Sequence, residues 1–183
     1  MIYELPTTVE VGEKTYDIRS DYRAILDICT ALTDPELTNE DKVIVALNIF
    51  YPDFDDMGYE EYKEAVEKCF WFINLGEEQS AQKPPKLMDW KQDFQHIVAP
   101  INRVIGSEIR SLDYLHWWTF IGAFYEIGDC TFAQIVRIRS HLAKGQKLDD
   151  FDREWYREHR ELVDLKTTYT EAEKNILEKW GVK

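Results

Sequence analysis

One segment of the chain, residues 112–127, carries apolar side chains around nearly its whole circumference when it is drawn as a helix. Four polar positions interrupt it, on one narrow stripe: Asp113, His116, Thr119 and Glu126. A helix that is apolar on all sides has to be covered by other elements. We therefore predict that this helix, capped by Ser111, is the most buried element of the fold, with Trp118 and Phe124 inside the core.

Apolar residues at helical spacing recur along the chain, and the strand–helix alternation of a parallel sheet is absent from the sequence. Alternating residues on both sides of Gly12 predict a short hairpin over residues 8–18. Capping residues, prolines and glycines bound the other predicted helices, which run from Ser20 to Leu32, Thr38 to Pro52, Tyr59 to Leu75, Asp89 to Ile105, Thr131 to Lys144, along the stripe Phe151–Trp155–Leu162–Leu165, and from Thr170 toward Trp180. The predicted class is mainly α, a single compact domain of about seven helices over residues 1–183 with an N-terminal β-hairpin.

Residues 76–87, GEEQSAQKPPKL, form the one linker-like stretch of the sequence. Two consecutive prolines exclude a helix there, and the polar composition favours a loop. The linker predicts a possible subdivision into an acidic part, residues 1–76, and a helical part, residues 88–183, built around the buried central helix.

The third predicted helix places Trp71 on the same face as Glu60, Glu64 and Glu67, opposite an apolar face that runs from Tyr59 to Ile73. A tryptophan on an acidic helix face is a candidate anchor for a protein partner, because tryptophan is enriched at binding hot spots. Packing beneath the following loop is the alternative, so partner binding by Trp71 stays open at this point.

The net charge of −13 is confined to the first part of the chain, because residues 1–80 hold 19 acidic and 6 basic residues and the rest is neutral. Such a surface repels a phosphate backbone, which argues against nucleic-acid binding. Residues 131–148 are the exception, with Arg137 and Arg139 among their four basic residues and no acidic one. They predict a solvated helix face or, alternatively, a docking site for an acidic partner.

Motifs for catalysis or cofactor binding are absent from the sequence, so we predict a non-enzymatic protein without cofactor or metal. Asp53, Asp55, Gly58 and Glu64 have calcium-loop spacing, but Met57 stands where an oxygen ligand is needed. The pairs Asp93–His96 and Asp113–His116 have a spacing compatible with metal binding. The alternative is that the carboxylate and the imidazole of each pair bond to each other beside the core. The three cysteines, Cys29, Cys69 and Cys130, lie far apart in apolar helical patterns, so we predict that they are small buried residues. An odd, scattered set of cysteines also indicates a reducing compartment.

Several motifs resemble the bacteriophage "gene product fifteen" family: Tyr16-Asp-Ile-Arg-Ser-Asp-Tyr-Arg23, Asp93-Phe-Gln-His-Ile97, Gly106, Leu112-Asp-Tyr-Leu-His-Trp-Trp-Thr-Phe120 and Cys130-Thr-Phe-Ala-Gln-Ile-Val-Arg-Ile-Arg139. The resemblance implies a protein of long-tailed phages and prophages of Gram-positive bacteria. Genes of that family usually lie between those of the major tail protein and the tape measure protein, a position typical of tail assembly chaperones. The family offers no catalytic residue to carry over.

We therefore expect a phage tail assembly chaperone or scaffold that binds the tape measure protein or other tail proteins in the bacterial cytoplasm. Trp71, Arg137 and Arg139 are the candidate partner-binding residues, and a homo-oligomer is possible. A structural tail or neck component, and an acidic inhibitor or DNA mimic that binds a host enzyme, are the alternatives. The sequence shows no segment long and apolar enough for a membrane span, so we expect no membrane association.

Overall fold

The computed structural model describes residues 3–77 and 85–166 of the chain, which fold into two compact units. Unit 1 comprises the described residues 3–77 together with 116–118, and unit 2 comprises residues 85–115 and 119–166. The fold is mainly helical with one short N-terminal β-hairpin, which confirms the predicted class. The helix predicted from Thr170 toward Trp180 lies outside the described residues.

Unit 1 begins with an antiparallel hairpin of β1, Thr8–Val11, and β2, Lys14–Asp17. Gly12 has a φ of +60° in the turn, a conformation that glycine adopts without steric cost. Val9 and Val11 point inward and alternate with exposed residues, because side chains on a strand point alternately to its two faces. The alternation in the sequence therefore predicted the hairpin.

Three helices follow in unit 1: α1, Tyr22–Leu32; α2, Asn39–Phe50; and α3, Tyr62–Ile73. Short 3₁₀ turns at Phe54–Asp56 and Tyr59–Glu61 lie between α2 and α3. Thr38, the predicted start of the second helix, caps α2 in a capping box, since Thr38 and Asp41 exchange hydrogen bonds. The cap of α1 is Asp21, and the prediction of Ser20 was wrong by one residue.

The core of unit 1 is built largely from aromatic rings. Phe50 and Phe72 are fully enclosed and contact each other with ring centroids 5.4 Å apart. Phe72 also stacks on Trp118, at 5.8 Å, and contacts His116 edge to face. Rings prefer such offset and edge-on contacts, which contribute about 0.5–1.5 kcal/mol per pair beyond burial. Residues 116–118 thus complete the core of unit 1.

Unit 2 contains α4, Trp90–Ile105; most of α5, Trp117–Tyr125; α6, Thr131–Ala143; α7, Asp150–Glu158; and α8, Arg160–Val163. A 3₁₀ turn, Ile109–Ser111, follows α4. Asp89 caps α4, Gly106 ends it at a φ of +81°, and Pro100 lies inside it, so the predicted bounds of this helix are confirmed. Ile97, Ile101, Ile109, Phe120, Ile135 and Ile138 are fully enclosed in unit 2.

The predicted central helix is shorter and less completely buried than its pattern indicated. It begins at Trp117, because His116 is extended in a bridge with Asp21 and the Trp117 N–H donates to the Ser20 carbonyl at 2.8 Å. Ser111 therefore lies in the 3₁₀ turn and does not cap this helix. Phe120 is enclosed, but Trp118 and Phe124 are only partly buried and Tyr125 is 70% exposed, so the prediction of an all-round buried helix was wrong.

Two other predicted faces are rotated. The buried residues of α3 are Ala65, Cys69 and Phe72, whereas Tyr59 was predicted inward and is exposed. Three consecutive aromatic residues, 70–72, let several faces fit the apolar pattern equally well. In α7, Asp152 is buried and Phe151, the first residue of the predicted apolar stripe, is 69% exposed. The apolar stripe predicted the wrong buried face for α7. Asp152 accepts hydrogen bonds from Arg137, and these offset the usual cost of burying a carboxylate.

Candidate protein-binding surface

Trp71 lies on α3, where its ring is partly buried against the ring of Trp118. The two centroids are 5.7 Å apart in an edge-to-face arrangement. The loop that was the alternative explanation for its position includes residues 78–84, which are outside the described part of the chain. Trp71 therefore contributes to the aromatic cluster of unit 1 with one side of its ring, and its role in partner binding stays a prediction.

Arg137 and Arg139 lie on α6 in very different environments. The side chain of Arg137 is 54% exposed, and its guanidinium donates through Nε and Nη2 to both oxygens of buried Asp152, at 3.1 and 2.6 Å. Hydrogen bonds from Arg137 are the main cause that lowers the pKa of Asp152. Arg137 thus keeps one face toward water while it neutralises a buried carboxylate, and partner binding by Arg137 stays a prediction.

Arg139 is buried, so the prediction that it belongs to a solvated basic face was wrong. Its Nη1 and Nη2 atoms donate to the two oxygens of Asp93, at 2.7 and 3.0 Å, and Asp93 is also fully buried. The other three N–H groups donate to backbone carbonyls, those of Leu87, Leu162 and Val163. Because a guanidinium has five N–H donors, every donor of Arg139 is satisfied inside unit 2.

The sequence carried a signal for this buried ion pair. Asp93 falls on the apolar stripe of α4, three residues after Trp90 and four before Ile97, and Arg139 falls on the stripe of α6, four residues after Ile135. A charge on the buried side of a helix needs an opposite charge nearby. One such position on each of two helices indicates that they pair.

Three aromatic rings of unit 1 contact one another in a row that runs from the core to the surface. Phe54 is 7% exposed, its ring lies 5.1 Å from that of Tyr62, and Tyr62 in turn lies 5.3 Å from Tyr59. The Tyr59 side chain is 85% exposed. Large apolar rings that project into water are a usual feature of protein interaction sites.

Four exposed carboxylates lie in the same segment, those of Asp53, Asp55, Asp56 and Glu60. Within the described residues none of the four forms an ion pair with a basic side chain. We call Tyr59, Tyr62 and these four carboxylates, which all lie within residues 53–62, the acidic aromatic face. It combines aromatic rings with carboxylates that form no ion pair in the described residues.

The backbone beneath the acidic aromatic face is fixed by Glu61. Its carboxylate accepts hydrogen bonds from the Gly58 N–H at 2.8 Å, the Tyr16 hydroxyl at 3.1 Å and the Lys14 ammonium at 3.3 Å. The Gly58 N–H is the main cause that lowers the pKa of Glu61, and the bond to Glu61 raises the pKa of Lys14. The hairpin thereby holds the turn that presents Tyr59.

Three of the candidate metal ligands, Glu64, Asp93 and His116, are engaged in other contacts. Glu64, the last residue of the calcium-like spacing, accepts a hydrogen bond from the Gly12 N–H at 2.9 Å, and Met57 is buried. Asp93 is bound by Arg139. His116 accepts from the Trp118 N–H at Nδ1 and donates to the Pro6 carbonyl at Nε2, and burial lowers its pKa. In residues 3–77 and 85–166, no group of three His, Cys, Asp or Glu side chains is arranged to hold a metal ion.

The cysteines are free thiols in the described structure. Burial raises the pKa of Cys29 to about 11 and that of Cys69 to about 12, which keeps both thiols protonated and weakly reactive at neutral pH. Cys130 caps α6, with its sulfur accepting from the Ala133 N–H at 3.4 Å. Thr131, the predicted cap, is the first residue of the helix.

Tyr59 is the surface residue that sequence reasoning missed, because its apolar pattern assigned it to the buried face of the third helix. The signal available in the sequence was Gly58, which interrupts the helix pattern immediately before Tyr59 and favours a turn. Within the part of the chain that the structure describes, no helix has both the length and the apolar character needed to cross a bilayer.

Taken with the fold, these features define a helical protein that exposes aromatic rings among carboxylates. The model of the family described as bacteriophage Gp15 protein matches residues 1–165 of the 183. The chain therefore belongs to this family, which confirms the resemblance seen in its motifs. Comparisons with curated proteins and with solved structures found no match.

Proposed function

We propose that this protein is a phage tail assembly chaperone that binds the tape measure protein in the bacterial cytoplasm and has no enzymatic activity. Membership in a bacteriophage protein family supports a role in phage biology. The position that genes of the resembling family occupy, beside the tape measure gene, supports the choice of partner. The proposal concerns a soluble assembly factor and not a lasting component of the tail.

The observation that carries the proposal is the acidic aromatic face. A tape measure protein is long and largely helical, and its apolar seams expose it to aggregation before the tail is assembled. A covering protein needs apolar contact points, which Tyr59 and Tyr62 supply, together with a net charge that keeps the complex dispersed. The charge of −13, concentrated in residues 1–80, supports that second requirement.

Co-expression with tape measure fragments from the same phage genome tests the proposal. We expect an insoluble fragment to become soluble and to co-purify with the protein, whereas co-expression with an unrelated acidic helical protein should leave it insoluble. Trp71→Ala should weaken capture if the exposed side of that ring contributes, and Trp71→Phe should retain it. Circular dichroism of both variants checks that the contact with Trp118 is not needed for folding.

Two outcomes would contradict the chaperone role. If no tape measure fragment is ever captured by the wild-type protein, the proposed partner is wrong. If purified virions contain the protein in stoichiometric amounts, the structural tail or neck component becomes the better assignment. Quantitative mass spectrometry of virions, compared with lysates of infected cells, distinguishes an assembly factor from a virion component.

A further inference from the structure

We propose that the acidic aromatic face recognises a lysine or arginine side chain of the partner, which lies on the ring of Tyr59. Apolar residues flank this basic residue in the partner segment. The inference rests on the proposed function, because the partner is taken to be a tape measure segment. Its basis is the coincidence of a presented ring and unpaired carboxylates in one short stretch, residues 53–60.

The ring of Tyr59 is exposed but has a neighbour on one side. It contacts the Tyr62 ring at 5.3 Å, and Tyr62 contacts the buried Phe54 ring at 5.1 Å, while the rest of the Tyr59 ring is open to water. A side chain that already contacts a neighbouring ring has less conformational freedom to lose on binding, which favours its use as an anchor. The exposed π surface is also the part of a tyrosine that attracts a cation.

The charges in the segment that contains Tyr59 favour a cationic ligand over other ligands. Asp53, Asp55, Asp56 and Glu60 are exposed and form no ion pair within the described residues, and Lys63 is the single basic residue close to them in sequence, so the segment stays net negative. Lys14, the basic residue of the neighbouring hairpin, is bound to Glu61. An anionic ligand such as a phosphate backbone would be repelled here, and a purely apolar one would gain nothing from the carboxylates.

The rings supply the second half of the recognition. Tyr62 and the exposed edge of Tyr59 can cover apolar residues that neighbour the cation in a partner helix, at positions three or four residues away. A basic residue flanked by apolar ones is therefore the segment chemistry that fits the face. The aliphatic stem of lysine or arginine also packs well on aromatic rings.

Overlapping synthetic peptides that cover the tape measure protein of the same genome are suitable probes, with binding followed by fluorescence anisotropy. We expect the best-binding peptides to contain a lysine or arginine beside apolar residues. Tyr59→Leu should weaken their binding roughly five- to tenfold, because it keeps apolar bulk and removes the π surface, whereas Tyr59→Phe should stay within about twofold of wild type. Tyr125→Leu, a change at another exposed tyrosine, is the matched control and should have no effect.

Charge variants test the other half of the inference. Asp55→Asn/Asp56→Asn should weaken binding and flatten its dependence on salt, and Glu10→Gln/Asp27→Asn, at exposed acids elsewhere in unit 1, should change neither. Replacing the basic residue of the peptide with glutamine should cost at least as much as Tyr59→Leu, because it removes the cation from the carboxylates as well as from the ring. Tyr59→Leu should then add little to that loss, because the ring no longer has a cation to bind.

The outcomes separate this inference from the proposed function. If no peptide binds the wild-type protein, the proposed function fails. If peptides bind wild type and Tyr59→Leu equally well, the function stands and the cation-binding role of Tyr59 is wrong. If sedimentation shows wild-type self-association that Tyr59→Leu abolishes, a second copy occupies the face and the inference is also overturned.

Discussion

The two units satisfy the same structural requirement with different chemistry. The last carbonyls of a helix lack a partner within the helix. In unit 1 the indole N–H groups of Trp118 and Trp117 donate to the carbonyls of Phe72 and Ile73 at the end of α3, at 2.8 and 3.0 Å. In unit 2 the guanidinium of Arg139 donates to the carbonyls of Leu162 and Val163, the last two residues of α8, at 2.8 and 2.6 Å.

The difference lies in what each donor requires in return. An indole is neutral, so burying it leaves no charge to compensate. A guanidinium is always charged, and burying it requires an opposite charge, which Asp93 supplies. Unit 2 therefore depends on a complete set of five hydrogen bonds to one side chain, whereas unit 1 spreads its bonds over two tryptophans. We expect the loss of one donor residue to harm unit 2 far more than unit 1.

The largest effect is expected for Arg139→Met. This change leaves the carboxylate of Asp93 buried without its counter-charge and leaves three carbonyls without a donor. Breaking a buried ion pair from one side costs about 3–5 kcal/mol of unfolding free energy. Urea unfolding measures the loss, and hydrogen exchange should show it in peptides from α4, α6 and α8.

A double variant separates the charge from the hydrogen bonds. Arg139→Met/Asp93→Leu removes both charges and should be more stable than Arg139→Met, because no isolated carboxylate remains. Recovery should be incomplete, since the Leu162 and Val163 carbonyls still lack a donor. If Arg139→Met alone unfolds at the wild-type urea concentration, the buried pair is not what stabilises unit 2.

Trp118 provides the matching experiment in unit 1, with an intermediate effect. Trp118→Ala removes contacts with Phe72 and Trp71 and should cost about 2–3 kcal/mol, below the usual range for enclosed aromatic residues because the side chain is only partly buried. Trp118→Phe keeps a ring and removes only the N–H donor, so about 1 kcal/mol is expected. A loss from Trp118→Phe as large as that from Arg139→Met would contradict the contrast between neutral and charged donors.

The sequence predicted the helices and the hairpin of the two units. It did not predict the hydrogen-bond donors that connect these elements within each unit. Helix α4 and the start of α2 at Thr38 were predicted from local chemistry, because their caps and apolar stripes lie within a few residues of one another. The Arg139–Asp93 pair joins residues 46 positions apart, and the Trp118–Phe72 bond joins residues 46 apart. Periodicity describes one helix at a time, so it does not show which helix supplies the partner.

The candidate surface was missed for a related reason. Tyr59 and Phe151 are apolar residues at apolar spacing, and only the tertiary structure shows that each is turned toward water. Conversely, Asp152 and Arg139 are charged residues that the structure buries with partners. Exposed aromatic residues and buried charges both depart from the assumption that apolar residues are buried and charged residues exposed, and one of the exposed residues, Tyr59, belongs to the surface for which we propose a function.

The smallest effect is expected at the ion pair of Arg137 with Asp152, which lies at the edge of unit 2. The carboxylate is 1% exposed, but the guanidinium is 54% exposed, so water screens the pair from one side. Arg137→Gln should therefore cost about 1 kcal/mol at pH 7, less than Arg139→Met. Because Arg137 lowers the pKa of Asp152 below the ordinary value near 3.9, the stabilisation should be present above about pH 4 and lost as the pH falls through the lower folded-state pKa.

Urea unfolding between pH 7 and pH 3 should show the wild type and Arg137→Gln converging as the solution is acidified. Arg153→Gln is the control, because its partner Asp150 is almost fully exposed and that pair should contribute little at any pH. A difference between wild type and Arg137→Gln that persists unchanged at pH 3 would show that Arg137 acts through packing of its aliphatic stem and not through its charge.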